Sequence, residues 1–376
     1  MRTQLNRTRV RLKGGAILGT VLLLSACAAD DGTGGEPGGN GQANAPEERG
    51  AAPGDPSDVA TDLELPWDFE FLPDGDALVT ERDSARILRV TPEGEVSEVG
   101  TVQGVDPGTE GGLLGMALPP DFESAPYVYV YFTSGSDNRI VRMPFDDGDL
   151  GDPEVLLDGL PKSPVHNGGR IAFGPDGMLY AGGGDAQEAE SAQDTDSLAG
   201  KILRLTPDGG VPEGNPFGNE VYSYGHRNVQ GLAWDDEDRL FGVEFGPDSD
   251  DEINMIEAGG NYGWPEVTGT GGGDDYIDPV VVWDPAEASP SGGVIAGGSL
   301  WVAALRGERL WQVPLTGDAG DPVGEPREHF VGEYGRLRHV AVTPDGGELW
   351  ISTSNHDVRG DPGEGDDRIL RVPLQD

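Results

Sequence analysis

Residues 85–90 read Ala-Arg-Ile-Leu-Arg-Val, and the pattern returns as NRIVRM from Asn138, GKILRL from Gly200, DEINMI from Asp251, ERLWQV from Glu308 and DRILRV from Asp367. Repetition at intervals of about 50 to 62 residues has the period of propeller blades. Each copy follows a second β-rich run: ALVTE from Ala77, YVYVYF from Tyr127, LYAGG from Leu179, LFGVEF from Leu240, LWVAAL from Leu300 and LWISTS from Leu349. Their Val, Tyr, Trp, Phe and Thr favour extended backbone. An inner-strand candidate ending in a turn comes earlier still, as in FEFLPDG, GMALPPDF, IAFGPDG, LAWDDED and VAVTPDG, with GGVIAGG from Gly292 in the fifth copy. Pro, Asp and Gly set φ and close such turns. No segment sustains a 3.6-residue apolar period long enough for a core helix. A β-solenoid would need shorter rungs, and a sandwich would not repeat in this way. The sequence therefore predicts an all-β fold, a six-bladed β-propeller of four-stranded antiparallel blades over residues 58–376, closed by a strand near Val59 to Leu65.

The N-terminus predicts export. Arg2, Arg7, Arg9, Arg11 and Lys13 precede the apolar run Ala16 to Leu24 and then Leu-Ser-Ala-Cys27. The run is too short to span a bilayer, and small residues before a cysteine resemble the bacterial lipobox. Residues 1–26 are expected to be a lipoprotein signal peptide, Cys27 the lipidation site, and 27–57 a disordered tether of Gly, Pro, Ala, Asn and acids. An ordinary cleaved signal with an incidental cysteine is the alternative. Cys27 is the one cysteine in the chain, so the domain folds without disulfides. The protein would lie outside the cytoplasm, held to the membrane through lipid only. Net charge is −43 and becomes more negative once the basic leader is removed. Nucleic acid and anionic membrane surfaces are thus poor partners, and a cluster of cations in so acidic a chain needs a reason.

Such a cluster stands just before the inner strands, where the chain converges on one mouth of the central channel. The segments are Glu110-Gly-Gly-Leu-Leu-Gly, His166-Asn-Gly-Gly-Arg170, Gly225-His-Arg227-Asn228-Val-Gln-Gly, Ser289-Pro-Ser-Gly-Gly and Arg336-Leu-Arg338-His-Val. Arginines at a water-poor mouth suit a planar ligand with several carboxylates, because guanidinium pairs with them bidentately. A histidine among them is placed for proton abstraction. Taken singly, each arginine could instead bridge blades to surface acids, and each glycine could simply tighten a turn.

The stretches HNGGRIAFGPDGMLYAGGGD, GKILRL, YGHRNVQGLAW, EFGPDSDDEIN and GGNYGWP, with GLLGMALPPDF before them, resemble the soluble PQQ-dependent aldose sugar dehydrogenases, the glucose/sorbosone dehydrogenase family. The resemblance runs from Leu65 to Leu374. It implies oxidation of an aldose at its anomeric carbon to a lactone, with PQQ and calcium as cofactors and an extracytoplasmic electron acceptor. It implies His166 as general base, Asp185 as the carboxylate that orients it, and Arg227 as stabiliser of charge on the reduced quinone. Asn228, Arg336 and Arg338 would bind the cofactor. The carbonyls of Gly246 and Pro247 would hold the cofactor-bound calcium, and Glu252 with Tyr262 a structural one.

Two departures stand out. Glu110 occupies a position where the family usually has glutamine, and a carboxylate facing an anionic cofactor is costly unless protonated or paired with an arginine. The family's fifth-blade lysine is replaced by Ala304-Leu-Arg306, with Arg306 one place along. The alternative is a cofactor-free propeller that binds carbohydrate or a partner at the cell surface. A calcium-dependent lactonase would need a ring of carboxylates where the arginines stand.

Overall fold

The computed structural model describes residues 50–318 and 320–375. They form six antiparallel sheets of four or five strands, and no α-helix occurs among the described residues. Blade one runs outward in chain order through Pro66–Phe71, Ala77–Glu81, Arg86–Val90 and Val96–Thr101. Blades two to five repeat this meander from inner strands Leu113–Ala117, Gly168–Phe173, Val229–Trp234 and Pro290–Ala296. The inner hairpins close as their Pro-Asp-Gly sequences require: Gly75 N–H donates to Leu72 O at 2.9 Å, Gly177 to Gly174 at 2.9 Å and Gly346 to Thr343 at 2.8 Å. All three glycines have φ between 73° and 93°, a region where a side chain is strained.

Blade six shows how the ring closes. Its own strands are Leu337–Val342, Glu348–Thr353 and Ile369–Gln375, and the outer position is taken by Ser57–Ala60 paired antiparallel to the last of them. Ala52–Pro53 extends that pairing. The closing strand thus lies earlier than the expected Val59 to Leu65. Asp62 and Leu65 have φ of 60° and 54°, so the chain there turns into blade one. The expected tether is correspondingly shorter at its C-terminal end. Cys27 and the leader lie outside the described residues.

Apolar side chains fill the space between blades, among them the fully buried Trp301, Trp350, Phe69, Tyr129 and Phe241. Near the axis the inner strands crowd together, and a side chain at Gly115 would collide with the carbonyl of Gly169 in the next blade. Polar residues point into the channel instead. Arg170 pairs with Asp68, and its Nε donates to Gln230 O at 3.0 Å. Arg338 Nη1 donates to Gln230 Oε1 at 2.9 Å. This paired layer is the floor of the site.

Candidate functional site

A cavity of about 630 Å³ opens at the mouth where the inner strands begin, with His166, Arg227, Arg306, Arg336, Arg338 and Glu110 in its wall. The sequence places these residues in five different blades, two to six, and the propeller brings them together.

His166 ends the loop entering the inner strand of blade three with φ of 60°, a left-handed backbone that costs a non-glycine residue roughly 1 kcal/mol or more. The surroundings hold it there. A side chain at Gly184 would collide with His166 O, and Ala186 N–H donates to that same oxygen at 3.2 Å. The imidazole is clamped at both nitrogens. Nδ1 lies 2.8 Å from Asp185 Oδ1, and Nε2 lies 2.8 Å from Arg227 Nη2. A guanidinium only donates, so Nε2 is the acceptor and the ring proton sits on Nδ1, donated to Asp185. The tautomer is therefore set by its neighbours. Burial alone would raise the Asp185 pKa, but hydrogen bonds from His166 and from Gln187 N–H outweigh it and hold the carboxyl below its ordinary value.

Arg227 is itself anchored by Nη1 to Phe245 O at 3.1 Å. Arg336 and Arg338 start blade six, and burial lowers both pKa values, that of Arg338 to about 9 with neighbouring Arg82 adding to the effect. The Nε atoms of Arg227, Arg336 and Arg338 are buried without a protein partner. Buried donors of one sign left unpaired point to an anionic ligand that completes them.

Asn228 is fully buried, with Oδ1 accepting Gly168 N–H at 2.9 Å, so it braces the His166 loop. Its Nδ2 is buried without a protein partner, as are the Nε atoms of the three arginines.

Gly246 and Pro247 stand in the cavity wall beside Asp251. Asp251 accepts Gly246 N–H at 2.8 Å and Ser289 N–H at 2.6 Å, and burial pushes its pKa up to about 6. A side chain at Gly246 would strike the carbonyls of Ser249 and Asp250, so this turn is built from backbone. Glu252 and Tyr262 line a second, small cavity together with Glu244, Gly246 and Pro247. The Glu252 carboxylate accepts from Gly269 N–H at 2.7 Å and Asn254 Nδ2 at 3.1 Å. The hydroxyl accepts from Glu257 N–H and donates to Met255 O. Burial, then repulsion from Glu244, raises Glu252 to about 8. No group of three or more His, Cys, Asp or Glu among the described residues is arranged to hold a metal. His226 is buried and stacked on Tyr262 at 4.7 Å.

Residues 63–360 match the family described as glucose/sorbosone dehydrogenase. The chain belongs to this family. It is 55% identical to the PQQ-bound aldose sugar dehydrogenase of Streptomyces coelicolor, with a TM-score of 0.82 over 86% of this chain and 100% of that one. It is 36% identical over 249 residues to quinoprotein glucose dehydrogenase B of Acinetobacter calcoaceticus, a match covering 56% of this chain and 52% of that protein. It is 34% identical over 223 residues to an aldose sugar dehydrogenase of Escherichia coli K12, covering 55% and 60%. The chain spans little more than half the length of those two relatives.

Three wall or support residues of this dehydrogenase escaped the sequence reading. Trp67, in the mouth of blade one, lies under Arg170 and Arg338 with ring-to-guanidinium distances of 4.5 and 5.7 Å. Trp264 donates its indole N–H to Asp185 Oδ2. Arg359 reaches from a blade-six loop to Glu110 at 2.9 Å. Counting the ring from blade two passed over Trp67, although it stands second in an inner strand, as Arg338 does.

Proposed function

We propose that this protein oxidises aldose sugars at the anomeric carbon to lactones with PQQ, and the observation that carries this reading is the fixed tautomer of His166 inside a ring of unpaired arginine donors. The residues fit PQQ as a planar ligand bearing several carboxylates: Arg306, Arg336 and Arg338 would hold it, with Arg227 beside its reacting edge. When bound, PQQ supplies the hydride acceptor. His166 Nε2 takes the proton of the anomeric hydroxyl, and Asp185 stabilises the imidazolium that results. In the structure Arg227 Nη2 occupies the same lone pair, so the sugar hydroxyl exchanges places with it and Arg227 stays at hand through Phe245 O. The freed guanidinium would then be available to stabilise negative charge on the acceptor. The Trp67 and arginine floor closes the axial side of the pocket to water. Calcium enters this reading at the Gly246 and Pro247 carbonyls, whose backbone turn suits a hard cation. The protein would act outside the cytoplasm, lipid-anchored through Cys27, and pass electrons to an acceptor there. A cofactor-free binding propeller would account for the glycines but gives no reason for a histidine held as a base.

The test is dye reduction by the full chain with PQQ, calcium and a panel of aldoses, beside His166→Ala. Turnover that requires PQQ and vanishes in the variant is the expected result. A folded native chain that takes up no PQQ would overturn the proposal.

A further inference from the structure

Glu110, the carboxylate in the wall of the arginine-lined cavity, is held at both oxygens. Glu110 Oε2 accepts the backbone N–H of His166 at 3.0 Å, and Oε1 accepts from Arg359 Nη2 at 2.9 Å. Glu110 N–H also donates to Pro164 O at 3.1 Å, so the residue grips the His166 loop twice. That grip falls on the residue with the strained φ of 60°, and it offers an acceptor to an N–H that the bent backbone turns away from any strand partner. Glu110 belongs to the loop entering blade two, while Arg359 belongs to the blade-six loop that follows Glu348–Thr353. The pair spans the mouth in front of blade one.

The blade-six loop is fastened independently of Glu110. Asp357 Oδ2 accepts from Arg82 Nη1 of blade one at 2.7 Å, and its Oδ1 accepts Arg359 N–H at 3.1 Å. Arg336 Nη2 lies 3.9 Å from that same Oδ1. Charges therefore alternate from Arg336 through Asp357 and Arg359 to Glu110. Arg359 is about half exposed, so the pair contributes little to stability by itself. Its consequence is electrostatic and local to the pocket.

We propose, on the basis of the PQQ reading above, that Arg359 is the counter-charge that allows an ionised Glu110 in the wall of an anion-binding pocket, and that Glu110 so held is the positioning residue for the His166 backbone. A glutamine at this position would need no counter-charge. A glutamate does, because an unpaired carboxylate beside an anionic ligand repels it and pays its own desolvation.

The experiment is a titration of the full, calcium-supplemented chain with PQQ, following the ligand's absorbance, together with kcat and KM for an aldose that turns over. Arg359→Ala is expected to raise the PQQ Kd about tenfold, a modest charge effect at a partly exposed site. Glu110→Gln keeps an acceptor for His166 N–H and should bind PQQ as tightly as native or tighter. The double variant Glu110→Gln/Arg359→Ala should return to within about twofold of native, since the repelling charge is gone. Glu110→Leu removes the acceptor and should lower kcat with little change in KM. Melting curves verify folding, and Arg359→Gln serves if the alanine variant does not fold. An unchanged Kd in Arg359→Ala, or a loss that Glu110→Gln fails to rescue, overturns the role. Absence of PQQ binding in the native chain is a separate outcome, which sinks the proposed function and this role with it.

Discussion

Trp264 donates its indole N–H to Asp185 Oδ2 at 2.9 Å, on the oxygen that does not face His166. The two residues belong to loops of neighbouring blades. The carboxylate behind His166 is thus oriented by the next blade, and the His166 tautomer depends on propeller packing as well as on its own loop. Gln187 N–H adds a third bond to Asp185 at 2.8 Å.

Asp185→Asn is therefore expected to damage catalysis far more than binding. An amide in that place can present its NH₂ to Nδ1 and favour the tautomer with the proton on Nε2, where the base must be empty. The expected loss in kcat is on the order of 10³- to 10⁴-fold, with the PQQ Kd within about threefold of native. Trp264→Phe keeps the ring and removes the bond, and should lower kcat about tenfold. Steady-state kinetics on both variants decide the matter: equal kcat in native and Asp185→Asn would remove the tautomer argument.

Glu70, on the inner strand of blade one, sits at the opposite mouth of the channel. Burial, reinforced by Asp68 and opposed by Arg170, raises its pKa from 4.5 to about 8. Between those values the folded protein holds a proton that the unfolded chain has released, so stability falls as pH rises from about 4.5 to 8 and levels off above. Asp251 and Glu252 are raised too and act in the same direction. Burial holds His339 and His329 below the ordinary histidine value of 6.5, which favours the folded state as pH rises to that point, so the clean window lies above it: the native melting temperature should be higher at pH 6.5 than at pH 8.5. Glu70→Gln isolates this residue: its decline over that range should be visibly smaller, and equal slopes in the two proteins would count against the assignment.

The repeat made the fold legible, because six copies of one strand pattern can only close on themselves. The ring of pocket residues followed from asking what precedes each inner strand, which placed His166, Arg227, Arg336 and Arg338 together. Two kinds of information were not in that reading. Arg359 meets Glu110 across 249 residues of chain, from a loop with no periodic signal, so only the closed ring brings them together. The bond from Gly168 N–H to Asn228 Oδ1 also joins two blades across 60 residues of chain, which no local pattern announces. The metal assignments depend on where carbonyls and hydroxyls point, and spacing does not encode that.

Closure of the ring should be measurable through its N-terminal strand. Val59 and Ala60 are buried against blade six, and the strand hydrogen-bonds to Ile369–Gln375. Burying a valine is worth roughly 1.5–3 kcal/mol, and at about 2–4 °C per kcal/mol for a domain of this general size its loss is easily seen. A chain beginning at Thr61 should melt at least about 5 °C below one beginning at Gly50. A chain beginning at Asp55 keeps the strand and should lose much less, and coincident melting of all three would show that blade six closes without it.

The last prediction concerns the pocket floor. Trp67 is almost fully buried, and its ring lies under Arg170 and Arg338 at 4.5 and 5.7 Å. Arg338 is a desolvated guanidinium with an unpaired Nε, so the negative face of the indole offsets part of the cost of keeping it charged. Trp67→Phe retains a π face, whereas Trp67→Leu retains apolar volume without one. If the floor acts through that face, Phe should bind PQQ within about threefold of native and Leu about tenfold more weakly, at melting temperatures a few degrees apart. Both variants shrink the side chain, so a purely steric role predicts comparable losses in the two. The ratio of their PQQ dissociation constants separates charge support from packing.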